Sequence, residues 1–247
     1  MKDQYFGDVN DYRKYGLLRT LSSVTRLPVG VCWLLTVPDS RSDGEFRRYL
    51  EQPDRWRHYD PELYEGLRRL LDPGIARSVQ HARTWELIPG ATFYEELLRD
   101  DVRSRRQYFE GAWTTLKACP IVFLDPDNGI EVPSKRIGAR DSCKYLYWAE
   151  IEGAYAAGHS LVIYQHFARV ERKAYTAAIA NELAERLHPP LVYSFRTSNV
   201  VFFVATQPEH AVVFAGAHTH IHDRWGNQIR AAAHVIAKHS GPTGISE

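Results

Sequence analysis

The run Ile121-Val122-Phe123-Leu124-Asp125-Pro126-Asp127-Asn128-Gly129-Ile130-Glu131 concentrates more chemistry than any other segment of the chain. Asp125 and Asp127 offer carboxylates that can accept from an amine or hold a hard cation, and Asn128 adds an amide that both donates and accepts. The four apolar residues before them read as a strand buried on both faces, as in a parallel sheet, and Pro126 and Gly129 stop it abruptly. The polar groups therefore belong at the carboxyl end of that strand, where open α/β sheets bind ligands. Asp, Asn, Pro and Gly are also the ordinary residues of turns. A turn needs only one or two of them, whereas this segment carries two acids, an amide and a third acid at Glu131.

Four further segments carry candidate chemistry. Gly7, Asp8, Asn10, Asp11, Arg13 and Lys14 cluster where a first helix should begin. Asp8 or Asn10 can cap that helix and Asp11 suits its positive end, while Lys14 is placed to reach an anion or a cofactor carboxylate. The polar loop Asp39-Ser40-Arg41-Ser42-Asp43-Gly44 follows the first predicted strand, where a Rossmann unit has its glycine-rich turn. With one glycine it reads either as a solvated loop or as a source of acids and an arginine for a ligand. Tyr164-Gln165-His166-Phe167-Ala168-Arg169 ends a strand expected beside Asp125. His166 suits a general acid or base and Arg169 a phosphate contact; a structural histidine is the alternative. His218, His220 and His222 would share a face if extended, a pattern that suits metal ligands or a solvated loop. The candidate set is Asp125, Asp127, Asn128 and His166 for catalysis, and Lys14, Asp11, Asp39 and Asp43 for a cofactor. Arg41, Lys144, Gln165 and Arg169 are the candidates for substrate contact, and no metal site is assigned.

These residues need a scaffold. Apolar spacing over Asp11–Ser23 predicts a helix, and Val29–Leu35 a buried strand introduced by Pro28. The stretch 45–107 reads as a charged helical insertion broken by Pro53, Pro61, Pro73 and Pro89, with a short strand at Trp85–Pro89. After Ile121–Leu124 come a helix over Ser142–Ala157, a strand at Ser160–Gln165 and an alanine-rich helix at Glu171–Leu187. Strands at Leu191–Phe195 and Val200–Ala205, close enough to be antiparallel neighbours, precede a terminal helix at Ala231–His239. The alternation implies an α/β fold, a doubly wound and mostly parallel sheet of Rossmann type with an antiparallel terminal strand, in a single domain over 1–247.

Bulk properties narrow the classes. A net charge of +1 over 247 residues argues against a polyanion-binding coat but leaves room for a local basic patch. No apolar run approaches the roughly 20 residues that span a bilayer, and the first residues lack a signal-peptide core. Cys32, Cys119 and Cys143 are odd in number and form no CxxC pair, so reduced thiols and a cytoplasmic location are expected.

In order, these pieces resemble the methyltransferase fold of the RlmJ-type ribosomal-RNA adenine methyltransferases. Gly7, Asp11, Lys14 and Tyr15 fall at the spacing of that family's Gly-x-x-x-Asp-x-x-Lys-His element, and Asp125-Pro126-Asp127-Asn128 at its Asp-Pro-Pro-Tyr-type tetrad. The resemblance covers the N-terminal dozen residues and roughly Ile121–Ala205. Asp127 and Asn128 replace the second proline and the base-stacking aromatic, Tyr15 replaces the histidine, and Thr36–Gly44 stands where the glycine-rich cofactor loop would be. The chain is also similar to an uncharacterised bacterial family with the same Asp-Pro-Asp-Asn-Gly core. The resemblance implies S-adenosylmethionine as cofactor and a nucleic acid or nucleotide as substrate. Two alternatives stay open: a magnesium-dependent nuclease or phosphodiesterase built on Asp125 and Asp127, and a catalytically inactive Rossmann-like partner subunit. Oligomeric state is not legible.

Overall fold

The computed structural model describes residues 1–37, 44 and 46–234. In chain order the elements are α1 (Val9–Thr25), β1 (Val29–Cys32), α2 (Pro53–Trp56), α3 (Pro61–Arg68), α4 (His81–Thr84), β2 (Thr92–Tyr94), α5 (Val102–Leu116) and β3 (Ile121–Leu124). There follow β4 (Gly129–Ile130), β5 (Tyr145–Leu146), α6 (Trp148–Ala156), β6 (Ser160–His166), α7 (Arg172–Leu187), β7 (Val192–Arg196), β8 (Val200–Ala205), α8 (Ala211–Trp225) and β9 (Arg230–His234). Short 3-10 turns join several of them.

A seven-stranded sheet in the order β2-β1-β3-β6-β8-β7-β9 forms the centre. The first four strands are parallel neighbours; β8 lies antiparallel to β6 and β7, and β9 antiparallel to β7. This is the expected α/β architecture, mostly parallel and Rossmann-like, with antiparallel strands at the end of the chain. Side chains alternate across it. Val29, Val31, Ile121 and Phe123 face one layer with Leu17, Leu18, Phe214 and Trp225, the last four from α1 and α8. Cys32, Val122 and Leu124 face the other layer with Ala112, Ile151 and Leu183, from α5, α6 and α7. Each such large apolar side chain contributes about 1.5–3 kcal/mol when fully buried.

Helix α1 brings Asn10, Asp11 and Lys14 to the carboxyl edge of this sheet. Asp8 caps it, accepting from the backbone N–H groups of Asn10 (2.7 Å) and Asp11 (2.9 Å). It ends where Arg26 turns left-handed at φ 58° and its N–H reaches the Ser22 carbonyl. Gly16 lets it lie against α8, since a Cβ there would sit 2.2 Å from the Trp225 ring.

The chain departs from its sequence-based reading in four places. Trp85–Pro89 is no strand: Glu86 turns left-handed (φ 51°) and the Leu87 N–H closes on the Ala82 carbonyl, ending α4. The edge strand β2 comes later, so the stretch 45–107 contains short helical turns, this strand and the start of α5. Ser142–Ala157 is not one helix, because Tyr145–Leu146 is drawn into a parallel pair with Gly129–Ile130. Only at Trp148 does α6 begin, with Glu150 reaching back to the Tyr147 N–H at 2.9 Å. The residues Ala231–His234 of the expected terminal helix form β9, because the open edge of β7 satisfies their backbone groups; 235–239 lie outside the described residues. Finally, His218, His220 and His222 lie within α8, so helical spacing keeps His218 and His222 one turn apart on one face and sends His220 to the opposite side. No described helix is long and apolar enough to cross a membrane.

Candidate functional site

Asp125 is the first residue beyond β3 and is 2% exposed. Its Oδ2 lies 2.8 Å from Lys14 Nζ, and the same ammonium lies 2.8 Å from Asp11 Oδ1. Lys14 and Asp11 are one helical turn apart on α1, so a single helix delivers both to the strand end. The rings of Trp33, Tyr164 and Phe123 stand 5.3, 5.5 and 6.0 Å from the ammonium. Asp11 is completed by the Gly7 N–H (2.9 Å) and the Tyr15 hydroxyl (3.3 Å), both donating to its Oδ2. Burial disfavours the charge on Lys14, yet Asp11 and Asp125 outweigh it and hold the ammonium above the ordinary lysine range. Asp8, the cap of α1, lies beside this pair without an ion-pair contact to Lys14; burial and neighbouring Asp11 push its carboxyl up to about 6, and burial also raises Asp125 against the pull of Lys14.

Asp127 is held apart from this cluster. The Thr36 hydroxyl donates to it at 2.6 Å, the Met1 amine lies 2.7 Å away and Lys2 Nζ 3.5 Å. Burial would raise it, but these neighbours together keep it below the usual carboxylate range. Asn128 is exposed, its N–H fixed on the Lys144 carbonyl at 2.9 Å. Gly129 turns the chain at φ +104° over Gln165, and any Cβ would meet Gln165 Oε1 at 2.3 Å.

These groups line a cavity of about 520 Å³ at the carboxyl edge of the sheet. Asp8, Asp11, Asp125 and Asp127 supply acid; Asn10, Asn128 and Asn199 supply amides; Tyr5, Phe46, Tyr164 and His166 supply rings. The size is that of a small-molecule site. His166 stands at the rim, its Nε2 3.2 Å from the Tyr164 hydroxyl.

Of the residues singled out by sequence, Asp125, Asp127, Asn128, His166, Lys14 and Asp11 meet at this cavity. Gln165 does not: strand alternation turns it to the opposite face, where it accepts from the Ile130 N–H (2.6 Å) and donates to the Tyr175 hydroxyl (2.7 Å). Lys144 lies outside the lining, with its ammonium on Asp141 at 2.9 Å, and Arg169 is an exposed residue outside it as well. Asp39, Arg41 and Asp43 lie outside the described residues. Sequence reasoning missed Tyr164, Asn10, Asn199 and Phe46. Tyr164 was detectable, because the period of two in β6 places it on the face of His166; Asn10 sits beside Asp11 on α1 and was named there only as a cap, while Asn199 and Phe46 reach the cavity from remote loops and leave no local signal.

No protein-family model matches this chain, and no curated protein matches it. Among solved structures, the chain is similar to protein LPL1258 from Legionella pneumophila str. Philadelphia 1, described with the family model DUF519. The two are 12% identical, with 94% of this chain and 98% of that one covered and a TM-score of 0.46.

Proposed function

We propose that this chain is a methyltransferase-fold enzyme acting on a nucleic acid or nucleotide, with S-adenosylmethionine as its cofactor. The observation that carries this reading is the acid-rich, ring-lined cavity at the end of β3, with the Lys14–Asp125 pair as its floor. Carboxylates in excess over ammonium groups suit a ligand bearing positive charge, and rings beside amides suit a nucleoside base. That donor set fits S-adenosylmethionine, which would supply an electrophilic methyl group on its sulfonium.

The chain's own residues have distinct tasks in this reading. Lys14 is a positioning residue: already shared by Asp11 and Asp125, it fixes the Asp125 carboxylate and does not reach for the cofactor. Asp125 accepts from the target amine and Asn128, exposed beside it, gives a second hydrogen bond. His166 Nε2 at the rim takes up the proton that the amine releases. Alignment of this kind can be worth roughly 7–11 kcal/mol. The nuclease alternative needs Asp125 and Asp127 available to magnesium, and each is engaged by an ammonium group instead.

Isothermal titration with S-adenosylmethionine, with magnesium as a parallel titrant, tests the proposal. Saturable cofactor binding in the wild type, retained in Asp125→Asn while methyl transfer is lost, is the expected outcome. Magnesium binding without cofactor binding would sink it.

A further inference from the structure

Two more cavities open in series from the first, and their charge is opposite. The second, about 580 Å³, shares Phe46 and Asn199 with the first and is lined by Arg13, Arg48 and Arg55, with no acid among the described residues. The third, about 460 Å³, shares Arg13 and Ser198 with the second and adds Arg172, Arg196 and Arg230. Glu171, the one acid among its described residues, caps α7 through the Lys173 and Ala174 N–H groups and also feels Arg196.

Arg13 joins the two basic cavities. It is 9% exposed and has no carboxylate at ion-pair distance among the described residues. Its guanidinium donates instead to amide oxygens, Gln228 Oε1 at 2.7 Å and 3.2 Å and Asn10 Oδ1 at 3.4 Å. These amides and the Trp56 ring, 5.5 Å away, orient the planar fork, while Asp8 offsets its burial only from a distance and burial still lowers its pKa. A buried charge with no carboxylate in direct contact is costly, and a fork held ready in a cavity suits a phosphate. Arg48, Arg55, Arg172, Arg196 and Arg230 likewise form no ion pair with a described residue. Phe46, 67% exposed, stands at the junction between the acidic and basic cavities.

We infer that the two arginine-lined cavities form a track for the phosphate backbone of a single-stranded nucleic acid, which turns one base past Phe46 into the acidic cavity. This rests on the proposed function for what the first cavity does. Six arginines spread over two cavities exceed what the phosphates of one nucleotide can engage, so a polymer fits where a free nucleotide does not. A positive groove beside an exposed ring is the usual arrangement for holding a single strand.

The test uses a short fluorescein-labelled single-stranded RNA of mixed sequence, with binding followed by anisotropy over a range of salt. Binding should weaken steeply with salt, and Arg48→Ala, Arg55→Ala and Arg196→Ala should each lower the log–log slope by about 0.7. Together they should weaken binding about tenfold or more, with thermal unfolding only slightly lowered because these side chains form no ion pair with a described residue. Absence of RNA binding at low salt, or displacement by poly-aspartate as readily as by unlabelled RNA, overturns the track. Cofactor titration separates the two claims. RNA binding without S-adenosylmethionine binding upholds the track and overturns the methyl-transfer reading; cofactor binding without RNA binding overturns the track alone.

Discussion

Asp8 does two jobs that conflict. As the cap of α1 it accepts two backbone N–H groups, which favours its anion, yet it is buried beside Asp11, which does not. The second effect wins, raising its pKa from 3.8 to about 6. A carboxyl that binds its proton more tightly when folded contributes stability at low pH that is lost as pH rises through that interval. Asp8→Asn keeps the cap and removes the titration. Relative to this variant, the wild type should lose on the order of 2–3 kcal/mol of unfolding free energy between pH 3.8 and about 6. Urea unfolding at a series of pH values measures the gap, and a gap that stays flat refutes the burial argument. A cationic ligand should also bind better above that interval, where Asp8 is ionised. Lys14 is the counterweight: one ammonium shared by two buried carboxylates keeps both in place beneath the cavity.

At the scale of elements, the site depends on where α1 lies. Asp8, Asn10, Asp11 and Lys14 all come from it or its cap, and α8 supports it from behind through Trp225. Gly16→Ala would place a methyl 2.2 Å from the Trp225 ring and push α1 away from its support. We expect a stability loss of about 1–3 kcal/mol, and weaker cofactor binding because the part of the cavity lining that α1 supplies shifts with the helix. Trp225→Leu in the same chain should restore part of the stability; no recovery in chemical denaturation would mean that the contact is not the cause. Sequence patterning was informative here in proportion to burial. Both β3 and β8 were legible to the residue, since an unbroken apolar run with turn residues at its ends has few other readings. The alanine-rich Ala231–His234 misled because helix propensity is worth only tenths of a kcal/mol per residue, less than the pairing that the open edge of β7 provides.

At the scale of the whole molecule, a near-neutral total conceals a separation of charge. Carboxylates gather at the end of β3 and arginines along the adjoining cavities, so a net charge of +1 reflects cancellation between regions, not a featureless surface. A ligand that binds only this assembled edge must stabilise the entire fold. At about 100 times its dissociation constant, S-adenosylmethionine should add about 2.7 kcal/mol to the unfolding free energy, read as a raised urea midpoint with an unchanged slope. A midpoint insensitive to the cofactor would show that the cavity does not hold it.

The sequence by itself determined that the chain is α/β, that Asp125 to Asn128 follow a buried strand, and that Asp11 and Lys14 share a helix near the start. Those conclusions rest on local periodicity and turn chemistry, which act over a few residues. Only the tertiary structure decided that Lys14 joins Asp11 to Asp125, that Gln165 faces away from His166, and that Arg13 sits buried between two basic cavities. Ion pairs, strand facing and shared cavities depend on which distant elements pack together, and packing is settled by the whole core at once.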